Sequence, residues 1–441
     1  MTELLEKRDL ISSNISVSPE GHLLFAGSDT VELAKKYGTP LYLLDEDRIR
    51  ENCRTYIQAA NEAFGGRYKI MYASKALSFK RIYEIMKEEK MGIDVVSTGE
   101  IFTAFRAGFP LSKAYFHSNN KTDEDIAYAI ENGVGYFVAD NAEELFAVDR
   151  EARRKGIVQK ILIRVTPGVD PHTYAAISTG KVDSKFGAAI ETGQAEQLIK
   201  TALSLGNLSL KGFHCHVGSQ VFDSDVYIKT ADIMLTFIAG IKDKYGYMPE
   251  ELDLGGGFGV RYIKEQPEND IAGNILTLGD FMQKKAEELA IELPIICFEP
   301  GRSIVGDAGL TLYTAGTVKE IPGFKTYVSV DGGMTDNARY ALYKAPYTLF
   351  AADDMNADCD MVCSVVGRCC ESGDIIQPDV ALPSDIKRGC KIAVLTTGAY
   401  NYSMASNYNR LPRPAMVMIK DGEDRLVVRR ESLDDIVRND I

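Results

Sequence analysis

The stretch YKIMYASKALSFKRIYEIMKEEKMGIDVVS, Tyr68 to Ser97, holds the whole pattern of the fold in thirty residues. Tyr68–Ser74 is rich in aromatic and branched side chains and reads as a buried strand. Met71, Ala73 and Lys75 alternate onto one face, so the lysine projects from the strand's end. Ser78–Met91 then places Phe79, Ile82, Tyr83 and Met86 at i, i+3, i+4 and i+7, the stripe of a helix packed on a sheet, and Gly92 stops it. Gly92–Ser97 is a second strand. A strand, a crossover helix and a strand within thirty residues predict a parallel pair.

Outward from this unit the same alternation runs from about residue 37 to 305. Further strands are expected at Pro40–Asp45, Ala114–Ser118, Tyr136–Asp140, Lys160–Pro167, Leu210–Val217, Glu251–Leu254 and Pro294–Glu299. Eight β-α units close into a TIM barrel. Nine strands are counted, and the first is expected to run between domains. After Arg302 the helices vanish. Leu310–Val318, Lys325–Asp331, Asp360–Val366 and Lys391–Thr396 read as strands, and Asp421-Gly422 between Ala415–Lys420 and Arg425–Arg430 is a hairpin signal. The expectation is a barrel over 37–305 and an all-β domain, sandwich or barrel, from 1–36 and 306–441.

Composition limits the partners. Of 441 residues, 45% are hydrophobic and 26% charged, with 50 Lys and Arg against 63 Asp and Glu and a net charge of −13. Such a chain repels phosphate backbones and anionic lipid, so neither nucleic acid nor a membrane surface is expected to bind it. The start MTELLEKRDL has no basic segment leading into an apolar core, and no apolar run approaches bilayer length. Eight scattered cysteines make no disulfide framework and have no zinc-ligand spacing. A cytoplasmic enzyme without a metal fits these features.

In a barrel of this kind function lies in the loops after the strands. Reading those positions gives Lys75, Asp94, His117, Arg164, His216, Gly255–Gly257 and Glu299–Arg302. One lysine able to form a Schiff base, a glycine-rich turn and a carboxylate are what a pyridoxal phosphate site needs. Each residue has a plainer explanation as well. A lysine after a strand is usually solvated, Glu299 and Arg302 could form a buried ion pair, and Cys370 could be a small buried hydrophobe. His214 and His216 alternate along a strand and could hold a metal, but no third ligand has suitable spacing. Gly255-Gly-Gly-Phe-Gly suits an anion nest and does not match the dinucleotide fingerprint.

Six motifs in register carry a resemblance. Tyr72-Ala-Ser-Lys75, His214-Cys-His-Val-Gly-Ser-Gln220, Leu254-Gly-Gly-Gly257, Glu299-Pro-Gly-Arg302, Cys370-Glu-Ser-Gly-Asp374 and Gly398-Ala-Tyr400 resemble the motif set of the fold-type III pyridoxal-phosphate-dependent decarboxylases. Within that family the diaminopimelate decarboxylases are the most similar branch. The resemblance runs from about residue 38 to 430. It implies an alanine racemase-like fold, a (β/α)8 barrel plus a C-terminal all-β domain, with pyridoxal 5'-phosphate as cofactor. By resemblance Lys75 joins the cofactor, Glu299 faces its ring nitrogen and His216 stacks on its ring. Ser219, Gly255, Gly256, Gly257, Gly301, Arg302 and Tyr400 take its phosphate side. His214 is expected to be packing.

The implied reaction is decarboxylation of meso-2,6-diaminopimelate at its D-centre, giving L-lysine and carbon dioxide in lysine biosynthesis. That substrate has a zwitterionic far end. By resemblance Arg302, Arg339, Tyr343 and Tyr400 bind it, the arginines taking the distal carboxylate and Glu371 the distal ammonium. Cys370 supplies a proton, and the segment holding Cys370 and Glu371 comes from the second subunit of a homodimer. Two departures adjoin these residues: Tyr340 stands where the family commonly has proline, and Asn401 where it often has glycine. The alternative within the family is a decarboxylase of ornithine, lysine, arginine or carboxynorspermidine. An amino-acid racemase and a non-catalytic cofactor carrier are the rivals from other classes. His172–Gly187, rich in Gly, Ser and Thr, reads as a long loop and a candidate lid.

Overall fold

In the computed structural model, residues 11–169 and 184–441 are described. The chain divides into two compact units, one of residues 52–259 and 269–303, the other of residues 1–51, 260–268 and 304–441.

The first unit is built on eight parallel strands: β1 (Tyr68–Ala73), β2 (Gly92–Val95), β3 (Ala114–Phe116), β4 (Tyr136–Ala139), β5 (Gln159–Thr166), β6 (Leu208–His214), β7 (Glu251–Asp253) and β8 (Ile295–Phe298). Each pairs with the next in sequence, and β8 pairs back onto β1, which closes the barrel. Residues buried on both faces explain why these strands read as near-continuous apolar runs. The first crossover helix, Lys80–Glu88, buries Ile82, Tyr83, Ile85 and Met86. Its N-terminal neighbour Phe79 is buried as well. Gly212 illustrates how tightly β6 approaches β7, since a methyl group there would sit 1.8 Å from the Glu251 carbonyl oxygen.

The first of the nine strands, expected to run between domains, lies wholly in the second unit's sheet. Leu41–Asp45 pairs in parallel with Ala415–Lys420 and antiparallel with Gly309–Ile321, inside the sheet of the second unit. All five of its residues are buried, so its composition matches a barrel strand and only its partners distinguish it. The second unit therefore begins by taking in residues beyond 36, and it also includes 260–268. Its main sheet adds Lys325–Val330, Met361–Val366, Ile375–Leu382, Lys391–Leu395 and the hairpin strand Glu423–Val428. Asp421 (φ +51°) and Gly422 (φ +77°) both lie in the left-handed region, the backbone of a two-residue turn that matches strand twist. Two apolar clusters fill this unit, one around Leu41, Leu43, Leu310 and Val417, the other around Tyr262, Tyr313, Val328 and Ile392. Among the described residues no helix is long and apolar enough to cross a membrane.

Candidate active site

The ends of the barrel strands bring a set of charged residues together. Lys75 lies in the single turn Ser74–Ala76 directly after β1, with Nζ 3.9 Å from Asp94 Oδ2 on β2. Its side chain is 44% exposed, so the amine is reachable at the barrel mouth while lying beside the buried Asp94 carboxylate. Glu299 follows β8 and is buried. One carboxylate oxygen lies 2.6 Å from His117 Nε2, which follows β3, and the other lies 3.1 Å from His214 Nε2 at the end of β6.

These neighbours decide which group carries charge. Burial alone would raise the Glu299 carboxyl, but His117 and His214 outweigh it and hold it well below the ordinary carboxylate range. Burial depresses His214 to about 3, so its ring is neutral and donates Nε2–H to the carboxylate. Asp94 is raised by burial, against the pull of His117. Asp253, at the end of β7, is raised well above its usual value by burial and then by the Glu299 charge. Of the three carboxyls, Glu299 is the one pushed toward the ionised form, while burial pushes Asp94 and Asp253 the other way.

His214, expected to be packing, also hydrogen-bonds the Glu299 carboxylate, and the ligand-type neighbours it meets are His117 and Glu299 rather than the expected partner His216. His117, His214 and Glu299 present three ligand atoms within 4.8 Å of one another. They come from three separate strands, so no local spacing reveals them. The two rings approach the carboxylate at contact distance, and a metal would have to displace those contacts.

Beside this cluster the glycine turn is wedged between two loops. A methyl group on Gly255 would meet His216 Nδ1 at 2.7 Å, on Gly256 the Glu299 carbonyl oxygen at 2.2 Å, and on Gly257 the Gly218 carbonyl oxygen at 2.3 Å. Gly257 adopts φ +102°, which side chains disfavour. Gly256 N–H donates to His216 Nδ1 at 3.3 Å. That bond makes Nδ1 an acceptor, and burial depresses the ring's pKa well below normal, so His216 is a neutral imidazole. Ser219 Oγ accepts from Arg302 Nη2 at 3.0 Å. Gly301 packs on β1, where a methyl group would lie 2.9 Å from Ala73 Cβ. A flat cofactor with an aldehyde, a basic ring nitrogen and a phosphate fits these residues: an amine at the rim, a buried anion, a neutral aromatic ring and a bare backbone turn.

The second unit carries the other expected residues. Arg339 and Tyr343 begin and end a short helix, Arg339–Tyr343. Arg339 is only 5% exposed. Its guanidinium lies 4.7 Å from the Tyr262 ring centroid, and Nη1 donates to Tyr347 Oη at 2.8 Å. Cys370 and Glu371 are exposed on a turn, and Asp374 anchors it by accepting from Met334 N at 2.6 Å and Cys369 N at 2.7 Å. Tyr400 is half-buried at φ +61°, and Asn401 beside it is fully buried. The suggested lid, His172–Gly187, lies outside the described residues as far as 183.

Comparison with known proteins gives one consistent picture. Residues 47–306 match the family model of the pyridoxal-dependent decarboxylase pyridoxal-binding domain, and residues 226–398 match that of the C-terminal sheet domain. The diaminopimelate decarboxylase of Bacillus subtilis is 43% identical over 421 residues, which covers 96% of this chain and 95% of that protein. That of Staphylococcus aureus is 43% identical, covering 97% and 99%. The crystal structure of the M. jannaschii diaminopimelate decarboxylase, solved also in co-complex with L-lysine, superposes with a TM-score of 0.89 at 33% identity and 98% coverage of both chains. The Helicobacter pylori enzyme complexed with L-lysine gives 0.83 at 31% identity, covering 93% and 98%.

Proposed function

The chain belongs to the pyridoxal-dependent decarboxylases, and from that membership we propose how its own residues convert meso-2,6-diaminopimelate to L-lysine and carbon dioxide. Pyridoxal 5'-phosphate, when bound, would supply an aldehyde for the substrate amine and a ring able to accept the electron pair left by carbon dioxide.

Glu299 is the observation that carries this reading. A buried carboxylate held ionised by two histidines is built to keep a proton on a basic ring nitrogen beside it. Lys75 would hold the cofactor's aldehyde through its amine. Neutral His216 presents a flat face without competing for that proton. The Gly255–Gly257 turn, Ser219, Gly301, Arg302 and Tyr400 take the phosphate side.

Substrate choice rests on charge. Arg339 is a buried cation with no carboxylate partner among the described residues. An uncompensated buried charge is costly, and an anionic ligand relieves it. Arg339, with Arg302 and Tyr343, receives the distal carboxylate, and Glu371 receives the distal ammonium. Cys370 delivers the proton that replaces carbon dioxide. Exposure of Cys370 and Glu371 in the single chain supports a homodimer in which this turn serves the neighbouring subunit. The cytoplasm is the proposed place of work, in keeping with a small, soluble, highly charged substrate.

Product identification tests the reading. Cofactor-loaded protein incubated with meso-diaminopimelate should yield L-lysine and gas in equal amounts. Gas release from ornithine or arginine in preference to diaminopimelate would overturn the substrate, and inverted substrate without gas would overturn the reaction.

A further inference from the structure

The guanidinium of Arg339 is tied to a residue no motif assigns. Arg339 Nη1 donates to Tyr347 Oη at 2.8 Å, and that hydroxyl donates its own proton to Asn401 Oδ1 at 3.2 Å. Tyr347 and Asn401 are 3% and 0% exposed. The direction of the relay is forced: a guanidinium has donors only, so the phenol must accept from it and pass its hydrogen onward. The amide oxygen of Asn401 therefore faces Tyr347, and its Nδ2 is left buried with no hydrogen-bond partner among the described residues. A side chain held in the core with an unmet donor has a stability cost that a smaller residue would avoid. Tyr262 completes the clamp, edge-on to Tyr347 at 5.5 Å and beneath the guanidinium.

We propose that Tyr347 and Asn401 are positioning residues that fix the Arg339 guanidinium for the distal carboxylate of the substrate, which makes Asn401 a determinant of specificity. The idea rests on the reading of Arg339 as the carboxylate receptor. A planar fork recognises a carboxylate only at the right angle. One nitrogen pinned by the relay, with the plane set by Tyr262, leaves the remaining donors aimed rather than free to turn. The distal carboxylate is bound alike before and during bond breaking, so loss of aim should appear as binding and not as chemistry.

Steady-state kinetics on Tyr347→Phe, Asn401→Ala, the double variant and Arg339→Gln decide it, each checked for cofactor loading by absorbance and for folding by Tm. Tyr347→Phe keeps the ring packing, so it reports on the hydroxyl even if Asn401→Ala folds poorly. Each relay variant should raise KM for meso-diaminopimelate about tenfold, with kcat within about twofold. The double variant should be no worse than the weaker single, because both break one relay. Unchanged KM in Tyr347→Phe and Asn401→Ala, with KM raised in Arg339→Gln, overturns the relay and spares the receptor. Unchanged KM in Arg339→Gln instead removes the receptor on which it stands.

Discussion

Glu299 Oε1 stands 2.6 Å from His117 Nε2, joining the loop after β8 to the loop after β3 across the barrel mouth. His214 Nε2 approaches the second oxygen at 3.1 Å. The pair of contacts makes acid stability a readout of the site. Glu299 is held well below its ordinary 4.5, so its contribution is complete above that pH and is lost as pH falls toward the folded value. His214 falls from 6.5 to about 3 because burial penalises its cation. Between those values the unfolded chain binds a proton that the folded chain does not, so stability drops as pH falls through that window. His214→Gln should flatten the Tm-versus-pH curve from pH 6.5 to 4.5, and Glu299→Gln only below 4.5. Calorimetry in half-unit steps checks this, and equal upper-window slopes for wild type and His214→Gln would refute it.

Lys75 is exposed enough that its removal should leave the barrel intact. Lys75→Ala should match wild-type Tm in the cofactor-free form, lack the near-visible absorbance of the loaded protein and show no turnover. Normal decarboxylation by this variant would end the assignment of the lysine.

Gly256 tests the cradle by volume alone. A methyl group there would fall 2.2 Å from the Glu299 backbone oxygen, so Gly256→Ala must push the turn off the loop that carries the anion. A loss of about 1–3 kcal/mol in stability is expected. Cofactor affinity, by fluorescence titration, should fall at least as far. Wild-type affinity in a folded variant would show that the turn does not bear on the cofactor.

How much of this could be read from the chain follows from how local each signal is. The barrel strands and Lys75 were legible because alternation and the helix stripe at Ile82, Tyr83 and Met86 are encoded within a few residues. Leu41–Asp45 was ambiguous because burial on both faces looks the same in either unit, and only its partners differ. Ile375–Leu382 went unread as a strand because of Pro378, which an edge strand tolerates. The histidines around Glu299 were hidden for a different reason. His117, His214 and Glu299 lie far apart in sequence and meet only because the barrel closes. Asn401 stands out in the sequence as a departure, but its link to Arg339 through Tyr347 joins residues 54 and 8 positions apart, which no local pattern encodes.

Glu371 should separate substrate recognition from cofactor binding. Its Oε1 accepts from Ser372 Oγ at 3.3 Å and Gly373 N at 3.2 Å, so the carboxylate caps its own turn and still has an exposed oxygen. Glu371→Gln keeps the shape and removes the charge. KM for diaminopimelate should rise by about tenfold or more, with cofactor affinity unchanged. An equal fall in cofactor affinity would show that the residue belongs to the cofactor side.

Shared sites make a further prediction that no single variant can. If Cys370 serves the neighbouring subunit, Lys75→Ala and Cys370→Ala homodimers are each deficient at both sites. Mixed subunits, dissociated and reassociated in equal amounts, form heterodimers in half of the assemblies, and each has one site with both residues intact. About a quarter of wild-type activity should therefore return on mixing. The exposed position of Cys370, with its backbone N–H held by Asn409 Oδ1 at 2.8 Å, presents the thiol outward, as this arrangement needs. If exchange of differently tagged subunits is demonstrated and activity stays at the level of the parent variants, the two residues do not meet across a dimer and Cys370 must act within its own chain or not at all.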